Sequence, residues 1–240
     1  MNIALLTAAG SGTRMGQDIP KQFMNIDDCP VIIYTMLPFQ KHAEVDAIAV
    51  VCLKGWEMML KAYANQFGIT KLKYIFPGGD SNQDSIHNGI VGLKEQGLTD
   101  EDIVIIQDGV RPLVSMNIIS QNIQVAREHG YAVTGLPCKE VIMKYHSQSG
   151  TMSYMPIPRE QLIRTQTPHT YQLGKLLRIH QMAAEQGLQK AASCELAACL
   201  GINDQHLVIG SEKNGLKLTN VEDIELFKAL KHVSKDEWLK

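Results

Sequence analysis

Ala8-Ala9-Gly10-Ser11-Gly12-Thr13-Arg14-Met15-Gly16 follows directly on the apolar run Ile3 to Leu6 and leads into Pro20-Lys21-Gln22-Phe23. A strand-sized apolar segment that empties into a glycine-rich loop presents backbone N–H groups and positive charge to an anion. Glycine carries no Cβ, so main-chain amides can come close to a phosphate there. Arg14 offers a planar fork for bridging phosphate oxygens, and Lys21 a compact charge able to follow charge that develops during a reaction. Glycines alone would equally suit a tight turn with solvated cations. The preceding strand and the two cations together point to a nucleotide polyphosphate. Two better-known phosphate loops are excluded. Gly12 and Gly16 are separated by three residues, which breaks the dinucleotide fingerprint, and Gly12-Thr13-Arg14 lacks the Gly-Lys-Ser/Thr of the nucleoside-triphosphatase loop.

Outward from this loop the pattern alternates. Strand-sized apolar runs at Ile3 to Leu6, Ala47 to Leu53, Leu72 to Phe76, Ile103 to Ile106 and Ala132 to Leu136 are separated by stretches of helical spacing. Those stretches are Val31 to Phe39, Trp56 to Phe67, Ser81 to Lys94 and Met116 to His129, the last with Ser115 as N-cap. The expected fold class is α/β, a Rossmann-like three-layer α/β/α arrangement with a mostly parallel sheet and ligands at the carboxyl ends of its strands. From Lys139 to Pro158 the rhythm breaks into short alternating segments around Ser147-Gln148-Ser149-Gly150, a hairpin-turn signal. Periodicity alone leaves this stretch as an ordinary surface hairpin.

Bulk properties suit a single soluble domain over residues 1–240, with no internal repeat or low-complexity tract. A net charge of −2 gives no broad basic footprint for nucleic acid, so positive charge must act locally. The N-terminal apolar segment is too short for a membrane span or signal peptide, which leads to the expectation of a cytoplasmic protein. Its five cysteines contain no C-x-x-C pair and read as reduced thiols. No H-E-x-x-H, Cys/His cluster or G-x-S-x-G elbow is present, so neither a dedicated metal site nor a serine triad is expected.

The glycine loop resembles the signature of the cytidylyltransferases that activate small polyol phosphates, the methylerythritol-phosphate and ribitol-phosphate enzymes. The resemblance recurs in family order at Gly78-Gly79-Asp80 with Asp84-Ser85, at Gln107-Asp108-Gly109-Val110-Arg111-Pro112, at Arg159 with Gln166-Thr167-Pro168, and at Leu216-Lys217-Leu218-Thr219. It implies transfer of CMP from CTP to a polyol phosphate with release of pyrophosphate. The acceptor is taken first as 2-C-methyl-D-erythritol 4-phosphate, a step of isoprenoid biosynthesis, with D-ribitol 5-phosphate as the alternative. A nucleotide-binding paralogue without useful catalysis is the third reading.

By the same resemblance Ala8, Ala9, Gly10, Gly12, Gly79, Asp80 and Ser85 hold the nucleotide, and Arg14, Lys21, Arg159 and Lys217 are catalytic cations. Asp108, Arg111, Val141 and Arg159 face the second substrate. Mg²⁺ or another divalent cation arrives with CTP, with Asp108 near the complex. The stretch at about 139–158 becomes a β-arm reaching across the two-fold axis of a homodimer. Other readings stand beside these: Asp80 or Ser81 as helix cap, Asp108 as turn former, Arg159 as solvated charge, and Lys217 as the polar face of a strand. Arg164 ranks below Arg159. Asn220 is expected to cap a closing helix from Val221 to Leu230. Three departures bear on substrate choice: Asn82 where the family often has Arg, Glu140-Val141 where it has Asp-Thr, and Ser193-Cys194-Glu195-Leu196 where methylerythritol-phosphate enzymes have Thr-Asp-Glu-Ala.

Overall fold

The computed structural model describes residues 1–10, 19–145 and 153–233. Gly12 and Arg14 of the glycine loop, and the turn expected at Ser147 to Gly150, lie outside the described residues.

Chain order begins with β1 (Asn2–Ala8), a single 3-10 turn at Lys21–Phe23, the short pair β2 (Asn25–Ile26) and β3 (Cys29–Pro30), and α1 (Val31–Lys41). β4 (Ala47–Cys52), α2 (Glu57–Gln66), β5 (Leu72–Pro77), α3 (Asn82–Glu95), β6 (Ile103–Asp108), α4 (Met116–His129) and β7 (Tyr131–Pro137) continue the alternation. The arm strands β8 (Ile142–Tyr145) and β9 (Ser153–Ile157) come next, then β10 (Ile163–Gln172), α5 (Leu173–Glu185), α6 (Ser193–Cys199), β11 (His206–Ile209), α7 (Glu212–Gly215) and α8 (Val221–Val233).

The central sheet runs β11-β7-β10-β6-β1-β4-β5, and β10 alone is antiparallel to its neighbours. Strand side chains alternate faces, and that period of two divides the core. Ala4, Leu6, Ile48, Val50, Ile103 and Ile105 pack with α1, α4 and α8 on one side. Ile3, Leu5, Ala49, Val51, Val104 and Ile106 pack with α3, α5 and α6 on the other. The middle strands β1, β4 and β6 are covered on both faces, which explains why they read as apolar runs. Among the described residues β8 and β9 pair only with each other, from Ile142 with Ile157 to Tyr145 with Ser153, as a two-stranded ribbon apart from the central sheet.

Local signals account for the helix ends. Ser115 Oγ accepts from Ile118 N at 3.3 Å, and Gly130 ends α4 at φ 89°. Asn220 Oδ1 accepts from Asp223 N at 2.9 Å, while the Asp223 carboxylate accepts from Thr219 N and Asn220 N at 2.7 and 2.9 Å. The alternative reading of Lys217 as the polar face of a strand is not met: residues 216–219 are an irregular connection between α7 and α8. Leu218 N donates to Val110 O at 2.9 Å, and this tie to the turn after β6 replaces sheet pairing.

Ile105 is wholly buried beneath the α4 side of the sheet, so Ile105→Ala is expected to cost about 2–5 kcal/mol by leaving a cavity. Ser115→Ala removes one cap and is expected to cost about 1 kcal/mol. Urea unfolding midpoints of both variants check the order.

Candidate active site

After β1 the chain moves to β4 on one side and later returns to β6 on the other. The ends of β1 and β6 therefore form a topological switch point, the place where a doubly wound sheet opens a crevice. Thr7 pairs with Asp108 there. Gly109 N donates to Thr7 O at 2.9 Å, and a Cβ on Gly109 would lie 2.8 Å from the same oxygen, so only glycine permits the approach.

A cavity of about 350 Å³ opens over this point. The end of β1 contributes Thr7, Ala8, Ala9 and Gly10, and the 3-10 turn contributes Lys21 and Gln22. Gly79 and Asp80 come from the turn after β5, Ser81, Asn82 and Ser85 from the start of α3, and Asp108, Val110 and Lys217 close the floor. A second cavity, about 290 Å³, shares Thr7, Asn82, Asp108 and Lys217 with the first and is walled by Arg111, Thr165, Gln166, Thr167, His169 and Ser193. The two compartments thus meet at Asp108 and Lys217. A larger hollow of about 500 Å³ lies between α2 and the edge strand β5, around Lys61, Ile69 and Lys73, and contains none of the residues marked from sequence.

Each wall has a local cause. Gln22 is 1% exposed, and its Nε2 donates to Ala8 O and Gly10 O, both at 2.9 Å, binding the mouth of the glycine loop to the turn that carries Lys21. Phe23 stacks on Trp56 at 4.7 Å between ring centroids and anchors the same turn from below. Gly79 N donates to Ser85 Oγ at 3.0 Å, and a Cβ on Gly79 would lie 2.9 Å from Ser85 N. Ser81, not Asp80, caps α3: its Oγ accepts from Asp84 N at 3.1 Å, and Asp84 Oδ2 accepts from Ser81 N at 3.1 Å. Asn82 Nδ2 donates to Ala191 O at 2.6 Å and joins the two cavity rims.

Asp108 is flanked by Arg111 Nε at 2.8 Å and Lys217 Nζ at 3.1 Å, and its backbone N donates to Thr167 Oγ1 at 3.2 Å. Burial works against the charged carboxylate, but Lys217 and Arg111 outweigh it by charge and hydrogen bonding and hold its pKa below the usual range. Arg111 also donates to Gly215 O. His169, 4% exposed, is pushed down to about 4 by burial, against the pull of the nearby Asp108 charge. Its imidazole is therefore neutral at pH 7.

The structure thus assembles Ala8, Ala9, Gly10, Lys21, Gly79, Asp80, Ser85, Asp108, Arg111 and Lys217 around one pair of cavities. Two expected residues stand apart within this chain. Val141 is 74% exposed, and Arg159 lies on a 3-10 turn with its Nη1 donating to Lys139 O at 2.9 Å and its Nε 3.6 Å from Glu160; neither lines these cavities. The physical reason is that both sit where the β8–β9 ribbon leaves the sheet. Arg164 pairs with Glu212 at 2.6 Å, beyond Lys217. The sequence reading passes over Gln22 and Asn214, buried amides whose only signal is a polar residue set among apolar or glycine neighbours.

A switch-point crevice lined by glycine, lysine and a cation-flanked carboxylate defines an α/β enzyme of the nucleotidyltransferase class. The family model for IspD, 2-C-methyl-D-erythritol 4-phosphate cytidylyltransferase, matches residues 2–232, and the chain belongs to that family. A ribitol-5-phosphate cytidylyltransferase of Lacticaseibacillus paracasei is 38% identical over 232 residues, covering 95% of this chain and 97% of that protein. A 2-C-methyl-D-erythritol 4-phosphate cytidylyltransferase of Geotalea uraniireducens is 32% identical over 235 residues, covering 97% of this chain and 98% of that one. Among solved structures, the 4-diphosphocytidyl-2C-methyl-D-erythritol synthase of Anaerococcus prevotii superposes with a TM-score of 0.78 at 20% identity, covering 96% of this chain and 98% of that one, which shows the shared fold. No helix among the described residues is long and apolar enough to cross a membrane.

His180, 3% exposed with Nε2 3.0 Å from Ser193 Oγ, is also pushed down to about 4 by burial and by neighbouring His87. An unfolded histidine titrates near 6.5, so between pH 6.5 and about 4 the unfolded chain binds more protons, and stability rises with pH across that window. The stabilisation is complete above about pH 6.5 and lost as pH falls to about 4. Urea unfolding across this range is expected to show a loss on the order of 3 kcal/mol per buried histidine, and a smaller loss in His180→Gln.

Proposed function

We propose that this protein transfers a cytidylyl group from CTP to the phosphate of a small polyol phosphate, releasing pyrophosphate, and that ribitol 5-phosphate is the acceptor. The observation that carries the reading is the meeting of two compartments at Asp108 and Lys217, with Lys21 and the open end of β1 on one side and Arg111 on the other. A transfer between two anions needs this arrangement: two binding spaces with positive charge concentrated at their junction.

The chemistry follows from repulsion. A phosphate monoester carries close to two negative charges near neutral pH and must approach the α-phosphorus of an anionic triphosphate. Lys21 and Lys217, which line the cavity, lower that barrier by offsetting charge as the new P–O bond forms and the bond to pyrophosphate breaks, and Arg14 and the glycine-loop amides are assigned the same role from the sequence. The acceptor phosphate is already deprotonated, so no covalent enzyme intermediate is required. The turn at Gly79 and the start of α3 at Ser85 supply amides and hydroxyls for cytosine and ribose. Asp108, kept ionised, holds Lys217 and Arg111 at the junction and is placed to accept from acceptor hydroxyls.

Among the described residues no cluster of three or more His, Cys, Asp or Glu could hold a metal by itself. A divalent cation arriving with the nucleotide would be held by Asp80 and Asp108, the carboxylates that line the cavity. When bound, the cation supplies charge neutralisation. Arg159 and Val141, outside the cavities of their own chain, complete the acceptor compartment of a second copy through the β8–β9 ribbon in a homodimer working in the cytoplasm.

Ribitol 5-phosphate is favoured over 2-C-methyl-D-erythritol 4-phosphate because proteins named for ribitol-5-phosphate transfer reach 38% and 36% identity, against 32% for those named for methylerythritol-phosphate transfer. Ser193-Cys194-Glu195-Leu196, which keeps only the glutamate of the methylerythritol-phosphate pattern, agrees. Methylerythritol phosphate remains the second reading, carried by the family model itself.

Lys21→Ala is expected to lower kcat for pyrophosphate release by about two to three orders of magnitude while circular dichroism stays unchanged. Undiminished turnover would refute the assigned role. Excess chelator should abolish activity and added Mg²⁺ restore it. Across a panel of polyol phosphates, ribitol 5-phosphate should give the highest kcat/KM, and a higher value for methylerythritol phosphate would reverse the choice of acceptor.

A further inference from the structure

We propose that Asn214 is a positioning residue for the transfer, its side-chain amide clamping the segment that carries Lys217 onto β10. The proposal rests on the reading of Lys217 as a cation that meets the nucleotide phosphates.

Lys217 lies on an irregular connection with no strand partner, so something other than sheet pairing must aim it at the junction of the two cavities. Asn214 is 1% exposed, three positions earlier on α7. Its Nδ2 donates to Gln166 Oε1 at 3.0 Å and to Thr167 O at 3.1 Å. Gln166 Nε2 in turn donates to Ser211 O at 2.9 Å. Two side-chain amides therefore lace the 211–217 segment to the bulge of β10 between Gln166 and His169. Both orientations are determined, because Thr167 O and Ser211 O are carbonyl oxygens that can only accept.

The same bulge reaches the catalytic floor. Thr167 Oγ1 receives the backbone N–H of Asp108, and Arg111 spans Asp108 and Gly215 O. The clamp thus refers Lys217 to the strand against which Asp108 is held. A Cβ on Gly210 or Gly215 would run into the Gln166 side chain, so backbone closes on the amide from two sides. Among the described residues Asn214 Oδ1 has no hydrogen-bond partner. Because Nδ2 donates to two buried oxygens, its removal also costs stability, so aim has to be separated from cohesion by experiment.

The test is a double-mutant cycle on purified full-length protein, read as pyrophosphate release from CTP with the acceptor that turns over fastest. Asn214→Ala is expected to lower kcat by about tenfold to a hundredfold, the scale of a charge misplaced by roughly an ångström, with KM for CTP moving by less than about threefold. Asn214→Ser, which keeps one donor, should fall between Ala and wild type. In the Lys217→Ala background Asn214→Ala should cost less than about a further twofold, because the group it positions is already gone. A loosened fold would instead add its full loss in both backgrounds. If Asn214→Ala does not fold, Asn214→Ser is carried through the same cycle. Wild-type kcat in the variant, or an undiminished loss without Lys217, overturns the proposal. Wild-type protein that releases no pyrophosphate, or Lys217→Ala that turns over normally, overturns the reading of the site itself and this inference with it.

Discussion

Asp108 leaves the end of β6 in a place largely closed to water, and it stays ionised there because Arg111 and Lys217 stand 2.8 and 3.1 Å from its carboxylate. Removing either cation would leave a buried charge short of its compensation, a costly state in a low-dielectric setting. The arrangement also works in reverse. Two cations gathered near neutral His169 gain a fixed counter-charge, so the junction of the cavities can concentrate positive charge before any phosphate arrives. Such a site has little to reorganise when charge develops, which is the physical basis of electrostatic catalysis.

The three members of this cluster come from different kinds of structure. Asp108 is delivered by a strand whose pairing with β1 fixes its height, Arg111 by the turn that follows, and Lys217 by a connection roughly a hundred residues later in the chain. Long-range placement of this sort depends on packing. The opposing layers of helices hold β1, β4 and β6 in register, and α8, docked through Phe227 against Tyr34, returns the chain to the same side. Stability and function share these contacts, since a shift between β1 and β6 would move the Thr7–Asp108 pair that forms the cavity floor.

Much of the fold was legible in one dimension. The runs around Ile3, Ala47 and Ile103 became the central parallel strands because strands buried on both faces favour apolar residues at nearly every position, while the run at Leu72 became the partly exposed edge strand β5. Ser115 and Gly130 bracket α4 because an orphaned N–H needs an oxygen and a left-handed terminal residue suits glycine. The alternative of a strand at Leu216-Lys217-Leu218 could not be dismissed from sequence, because alternation over three residues cannot distinguish a pleated strand from an extended connection whose Leu218 is buried for other reasons. The antiparallel course of β10 was equally hidden: direction within a sheet leaves no mark on its own residues.

For the site, Lys21 could be marked from the strand-to-loop junction that carries it, whereas Gly79, Ser85, Asp108 and Lys217 are marked by the resemblance of their motifs to the cytidylyltransferases, and all five line one cavity. The sequence by itself determined which residues are apolar enough to form a doubly covered sheet, where its turns fall, and that its chemistry concerns phosphate. Tertiary structure alone decided that Asp108 faces Lys217, that Gln22 and Asn214 hold the surrounding segments, and that Val141 and Arg159 stand away from the cavities of their own chain. The reason is range: periodicity and capping act over a few residues, whereas hydrogen bonds and ion pairs between distant segments exist only once packing has brought those segments together.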